Sequence, residues 1–161
     1  MIRAATKSVD DTRALAAEIA GLARPGDLVV LAGDLGTGKT AFAQGFAKGL
    51  GVEEPVTSPA FILVRTYDGR LPMVHLDVYR LDHMQELVDL GISELLDEGA
   101  VTLVEWGDAV TPALPSDFLE VRLEMVDGPV DDRLLFIRSV GPSWPPRVDA
   151  LFQALARWAV A

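Results

Sequence analysis

The sequence predicts a single α/β domain of three layers, in which a mainly parallel central sheet is joined by antiparallel strands, and three observations carry that prediction. Leu28-Val29-Val30-Leu31 and Val101-Thr102-Leu103-Val104 are short, nearly unbroken apolar runs, the pattern of strands covered on both faces of a parallel sheet. A glycine-rich turn follows the first run and leads directly into a helical pattern. Late in the chain, Phe118 to Met125 and Leu134 to Val140 alternate as an antiparallel pair does.

Taken in order, Ser8-Val9-Asp10-Asp11 opens a helix as a variant of the capping box, with Leu15, Ile19 and Leu22 on one face and Pro25-Gly26 ending it. After the first strand and the glycine turn, a second helix runs from Lys39 to about Leu50, with Ala41, Phe42 and Phe46 on one side and Gly49 and Gly51 closing it. Beyond the turn Thr57-Ser58-Pro59, strands from Ile62 to Tyr67 and from Met73 to Tyr79 are joined by Asp68-Gly69-Arg70. Asp82 caps a helix through Leu90. Ser143-Trp144-Pro145-Pro146 reads as a surface crossing, and Val148, Leu151, Leu155 and Trp158 mark a C-terminal amphipathic helix. No fixed-period repeat, low-complexity stretch or linker divides the chain, so residues 1–161 form one domain.

Composition excludes several classes of function. Half of the 161 residues are apolar, enough for a real core. The absence of cysteine removes disulfides, thiolate metal sites and catalytic thiols. His75 and His83 have no second histidine at ligand spacing, which argues against zinc. A net charge of −10, from 14 basic and 24 acidic residues, disfavours unaided binding to nucleic acid. Neither a signal-peptide pattern nor an apolar run of roughly 20 residues is present, so a cytoplasmic protein without a membrane span is expected.

The chemistry is concentrated in Gly33-Asp34-Leu35-Gly36-Thr37-Gly38-Lys39-Thr40, which matches G-x-x-x-x-G-K-[ST] between a buried strand and a helix start. Its glycines let the backbone curl with N–H groups inward, and the helix terminus, where Ala41 lies in the first turn, adds partial positive charge. Lys39 then reaches the outer phosphates as a catalytic cation, and the Thr40 hydroxyl is placed to ligate Mg²⁺. This is the signature of a P-loop NTPase. Neither Asn-Lys-x-Asp nor Asp-x-x-Gly occurs, which favours ATP over GTP.

Asp77 and Glu105 stand at strand ends, where ligands of open α/β sheets gather. Carboxylates there hold a metal or position the attacking water, although each alone also suits a surface ion pair. Thr12 and Arg133 are weaker candidates for the adenine side of the site, as is Arg80 for sensing phosphate. His75 is read either as orienting Asp77 or as a satisfied core histidine, and Trp106 reads by itself as core.

The whole set of strings resembles the TsaE family, also called YjeE. The loop is similar to that family's GDLGxGKT, Ser58-Pro59-Ala60-Phe61 to its SPTF turn, and His75 to Arg80 to its HxDxYR. Glu86-Leu87, Gly91-Ile92 and Leu103-Val104-Glu105-Trp106 continue the order. Ala60 stands where the family usually has Thr, so no hydroxyl role carries over at that turn. The resemblance implies a Mg²⁺-dependent ATPase that assists the TsaB–TsaD complex in placing threonylcarbamoyl on the adenosine beside the anticodon of tRNAs reading codons that begin with A, with tRNA reached only through that complex. It also implies catalytic and metal-linked roles for Asp77 and Glu105, a metal-ligand role for Thr40, and a place for Trp106 at the site or a partner surface. A small-molecule phosphotransferase would share the loop but needs an Arg-bearing lid, which the scattered arginines do not form. A nucleotide-gated binding module without turnover is the third class, and the two well-placed acids argue against it.

Overall fold

The computed structural model describes residues 1–57, 64–78, 85, 88–89, 91–106 and 111–161. Its strands are β1 (Ile2–Thr6), β2 (Leu28–Ala32), β3 (Val64–Asp68), β4 (Pro72–Asp77), β5 (Val101–Glu105), β6 (Phe118–Met125) and β7 (Arg133–Val140). The helices are α1 (Val9–Ala20), α2 (Lys39–Gly49), α3 (Ile92–Asp97) and α4 (Val148–Ala154). The strands make one sheet in the order β1-β7-β6-β2-β5-β4-β3. Its middle is parallel, with β2 pairing β5 and β6 and β4 pairing β5. Its margins, β3 on β4 and β7 between β6 and β1, are antiparallel.

Strand alternation sorts side chains into two apolar clusters, one on each face of the sheet. Val29, Leu31, Leu103, Leu119 and Val121 join α1, α2 and the C-terminal segment. Leu28, Val30, Leu76 and Val104 point the other way, toward Leu96 of α3, Ala113 and Leu114. On that second face Glu120 of β6 receives two hydrogen bonds from Arg138 of β7, each 3.0 Å, directly across the ladder. This pairing holds the Arg138 guanidinium protonated beyond its ordinary range.

Ser8 caps α1 as expected, its hydroxyl accepting the Asp11 N–H at 3.0 Å, while the Asp11 carboxylate accepts from Lys7 N–H at 2.9 Å. Helices α1 and α2 lie very close because Gly45 has no side chain: a Cβ there would stand 2.2 Å from the Arg13 carbonyl oxygen.

Several boundaries differ from the sequence reading. Helix α1 ends at Ala20, before Pro25-Gly26, and β4 ends at Asp77. Strand β1 and helix α3 are additional elements. The C-terminal helix stops at Ala154 and gives way to a 3-10 turn at Ala156–Trp158. Trp144, expected in a surface crossing, is 1% exposed and belongs to the core. The following Arg147 holds Asp27 through two hydrogen bonds of 2.6 and 2.8 Å, with both residues buried. This pair ties the C-terminal segment to the entry of β2. The turn at Ser58–Phe61, the ends of the strands at Ile62 and Tyr79, Arg80, His83, and the helix termini at Asp82 and Leu90 lie outside the described residues. Among the described residues no helix is long and apolar enough to cross a membrane.

Candidate functional site

The site forms where β2, its five residues all buried, gives way to the glycine loop. Gly33 has φ of 140°, and a Cβ there would lie 2.4 Å from the Leu123 carbonyl oxygen, so only glycine lets the loop rest on β6. Thr37 is buried and closes the loop internally, its hydroxyl donating to the Asp34 carbonyl at 2.8 Å. Arg133 braces the loop from β7. Its Nε donates to the Thr37 carbonyl at 2.8 Å and its Nη2 to the Gly36 carbonyl at 3.1 Å. Because C=O and N–H point oppositely across a trans peptide, holding those carbonyls toward Arg133 turns the N–H groups of Thr37 and Gly38 away from it.

Lys39 begins α2 and is only 5% exposed. Its ammonium donates to the carbonyls of Gly33 and Asp34 at 2.7 and 2.8 Å, and stands 3.7 Å above the centre of the Trp106 ring. The cation thus lies inside the loop, held by carbonyl dipoles and an aromatic face. Trp106 has φ of 62°, the one positive value at a non-glycine position among the described residues. That conformation costs of order 1–3 kcal/mol, and it falls directly after β5, where the Trp106 ring lies under Lys39.

The parallel register of β4 and β5 sets Asp77 opposite Glu105. Alternation then places His75, Asp77, Leu103 and Glu105 on the face toward α2. Glu105 is 2% exposed and uses both oxygens. Oε1 accepts the Thr40 hydroxyl at 3.0 Å, and Oε2 lies 2.5 Å from His75 Nε2. A carboxylate is an acceptor, so His75 carries its hydrogen on Nε2. His75 Nδ1 is buried and without a hydrogen-bond partner among the described residues. Asp77 is buried beside this pair.

Thr12, Thr37, Gly38, Ala41 and Arg133, all expected in cofactor binding, line one hollow with Val9 and Asp131. Thr12 is fixed by a 2.7 Å hydrogen bond between its hydroxyl and that of Thr6. Gly33, Asp34 and Thr37 border a second groove of about 320 Å³ with the end of β6. Leu35 projects into solvent. Thr40 and Glu105 meet directly, whereas Arg80 lies outside the described residues. Trp106 is half-buried, packing on the second apolar cluster as well as under Lys39. Sequence reasoning missed that His75 addresses Glu105 and that Arg133 spends its N–H groups on loop carbonyls. The only advance signal for the first was that His75 and Asp77, two apart, share a strand face.

Fold and site together define a mixed α/β protein of the strand, glycine loop and helix type, with a lysine and a hydroxyl where the helix begins and a carboxylate joined to that hydroxyl from the adjacent strand. The family described as Threonylcarbamoyl adenosine biosynthesis protein TsaE matches residues 6–133. The chain is 39% identical over 153 residues to the tRNA threonylcarbamoyladenosine biosynthesis protein TsaE of Bacillus subtilis, covering 94% of this chain and 92% of the relative. It is 44% identical over 128 residues to the protein of that name from Mycobacterium tuberculosis, covering 73% of this chain and 76% of the relative. The crystal structure of Bacillus subtilis YdiB superposes with a TM-score of 0.78 at 35% identity, over 98% of this chain and 97% of that one. The chain belongs to the TsaE family.

Proposed function

We propose that this chain is a P-loop ATPase whose hydrolysis, with Mg²⁺, supports the TsaB–TsaD complex in threonylcarbamoyl modification of tRNAs reading codons that begin with A. The single observation that carries the ATPase reading is the 3.0 Å hydrogen bond between Thr40 and Glu105. It brings the hydroxyl at the loop's exit and a buried acid from the neighbouring strand to one point. The relatives named as tRNA threonylcarbamoyladenosine biosynthesis proteins support the pathway.

The donor set fits the metal. Thr40, Glu105 and Asp77 offer hard oxygen ligands, and among the described residues no three His, Cys, Asp or Glu side chains converge as a closed cage. Mg²⁺ uses few protein ligands and relies on phosphates and water for the rest. When bound it neutralises charge on the outer phosphates. The residues of the chain do the remaining work. The loop N–H groups and the start of α2 bind phosphate oxygens. Lys39 exchanges the carbonyls of Gly33 and Asp34 for the outer phosphates. Glu105, steered by His75, accepts hydrogen bonds from water ordered at the terminal phosphate or at the metal, and Asp77 adds the second negative charge. Thr12, Ala41 and Arg133 border the adenine side. The net charge of −10 supports a role in which tRNA is reached through a protein complex in the cytoplasm.

The test measures phosphate release from ATP with and without TsaB and TsaD, coupled to the yield of modified tRNA. Hydrolysis that TsaB–TsaD stimulates, together with tRNA modification that requires this chain, is expected. Absence of hydrolysis in every mixture overturns the ATPase reading.

A further inference from the structure

Exposed apolar side chains crowd one corner of the molecule, at the mouth of the glycine loop. Leu35, at the crest of the loop, is 83% exposed, and in the hairpin between β6 and β7 Val130 is 85%, Met125 54% and Val126 40% exposed. They are neighbours: a Cβ on Gly36 would lie 3.7 Å from Met125 Cε, and one guanidinium, that of Arg133, reaches the carbonyls of both Gly36 and Val130. A hairpin tip serving only as a turn favours glycine, proline and small polar residues. Here the tip bends through Asp127-Gly128-Pro129 and closes with the Asp132 N–H donating to the Pro129 carbonyl at 3.0 Å, so Val130 takes a central position of the turn and Val126 flanks the tip, both as exposed apolar side chains.

Charge says what covers this corner. The exposed carboxylates of Asp34, Glu124, Asp127 and Asp131 lie around this corner, against Arg122 in the groove beside Asp34 and Glu124 and Lys7 paired with Asp132 at its far edge, and the hairpin from Leu123 to Asp132 carries four acids and no Lys or Arg. This predominantly acidic rim disfavours a phosphate backbone and so favours a protein over RNA as the occupant. An apolar centre with an acidic rim complements a protein surface with an apolar centre and a Lys/Arg rim.

We propose that Leu35 and the hairpin from Met125 to Val130 form the docking surface for a protein partner of that chemistry, and that Arg133 transmits docking to the glycine loop. The inference rests on the reading above that the partner is TsaB–TsaD. Arg133 Nη1 donates to the carbonyls of Val130 and Asp132 at 2.7 and 2.8 Å, while Nε and Nη2 of the same rigid fork hold Thr37 and Gly36. A partner that shifts the hairpin tip therefore shifts the peptide units that aim the loop N–H groups. The consequence is a difference in nucleotide affinity between docked and free protein.

The experiment uses the full chain and purified TsaB–TsaD. Affinity for the complex and for ATP is measured by calorimetry for wild type, the Val126→Asp/Val130→Asp double variant and Asp127→Lys. The double variant should bind TsaB–TsaD roughly tenfold or more weakly, with ATP affinity kept within about twofold of wild type. Asp127→Lys should weaken docking most at low salt, where rim charges act farthest. Wild type should bind ATP with a different affinity once TsaB–TsaD is present, and Arg133→Lys, which keeps the charge but loses the fork, should abolish that shift. Undiminished docking of the double variant, beside normal wild-type docking, overturns the surface while leaving the partner reading intact. Loss of ATP affinity in a folded double variant assigns the rim to nucleotide instead and also overturns it. An undiminished shift in Arg133→Lys overturns the coupling. Failure of wild type to bind TsaB–TsaD at all defeats the partner reading first and this inference with it.

Discussion

His75 Nε2 stands 2.5 Å from Glu105 Oε2 in the sheet interior, and the other oxygen of the same carboxylate takes the Thr40 hydroxyl at 3.0 Å. A carboxylate held at both oxygens cannot rotate, so the imidazole fixes the direction in which Glu105 presents its charge. His75→Gln retains an N–H donor near the Nε2 position, whereas His75→Leu fills the space without one. The leucine variant should lose turnover roughly tenfold, with KM for ATP nearly unchanged and a lowered melting temperature, since a buried Glu105 oxygen loses its donor. The glutamine variant should recover most of the loss. Equal rates for all three proteins would reduce His75 to a packing residue.

Glu105→Gln keeps the shape and removes the charge. Hydrolysis should fall on the order of a hundredfold, a few kcal/mol of barrier, while calorimetric titration shows ATP binding largely preserved by the loop and Lys39. Asp77→Asn should also impair turnover, and its defect should shrink as Mg²⁺ is raised if Asp77 is the more direct metal ligand. Normal phosphate release from both variants would remove these acids from the reaction.

Lys39 is the one cation described inside the loop, and its ammonium is held by the Gly33 and Asp34 carbonyls. Lys39→Ala should weaken ATP binding by roughly an order of magnitude or more and abolish measurable turnover. Because the cation also rests on Trp106, the same variant should alter the intrinsic tryptophan emission of the unliganded protein. Wild-type hydrolysis by Lys39→Ala would defeat the loop assignment.

The buried Arg147–Asp27 pair makes a prediction about stability rather than chemistry. Asp27→Ala strands a guanidinium that is 5% exposed, and removing one partner of such a pair typically costs about 3–5 kcal/mol. Urea denaturation should show that loss as a lower midpoint with an unchanged slope. Replacing both residues by apolar ones, Asp27→Leu with Arg147→Met, should recover much of it. A single variant as stable as wild type would mean that the pair does not anchor the C-terminal segment.

Much of this was legible in the linear chain, for identifiable reasons. The apolar runs ending in Leu31 and Val104 announced buried strands, the spacing from Gly33 to Thr40 announced the turn into α2, and Ser8 announced the start of α1, because periodicity and turn chemistry act over a few residues. Strand β1 escaped notice because Ile2-Arg3-Ala4-Ala5-Thr6 is alanine-rich and becomes a strand by pairing with β7, more than a hundred residues away. Trp144 looked like surface because prolines follow it, yet the core it fills is built from both ends of the chain. The sequence by itself determined which chemical groups the site contains: a glycine loop, one lysine, one hydroxyl and two acids. Only the tertiary structure decided how they are joined, since the register of β4 on β5 sets Asp77 beside Glu105, turns His75 to the second oxygen of that carboxylate, and brings Arg133 from β7 onto the loop. No short turn joins β4 to β5, and strands buried on both faces lack the alternation that would fix their register locally, so it is decided by the assembled sheet.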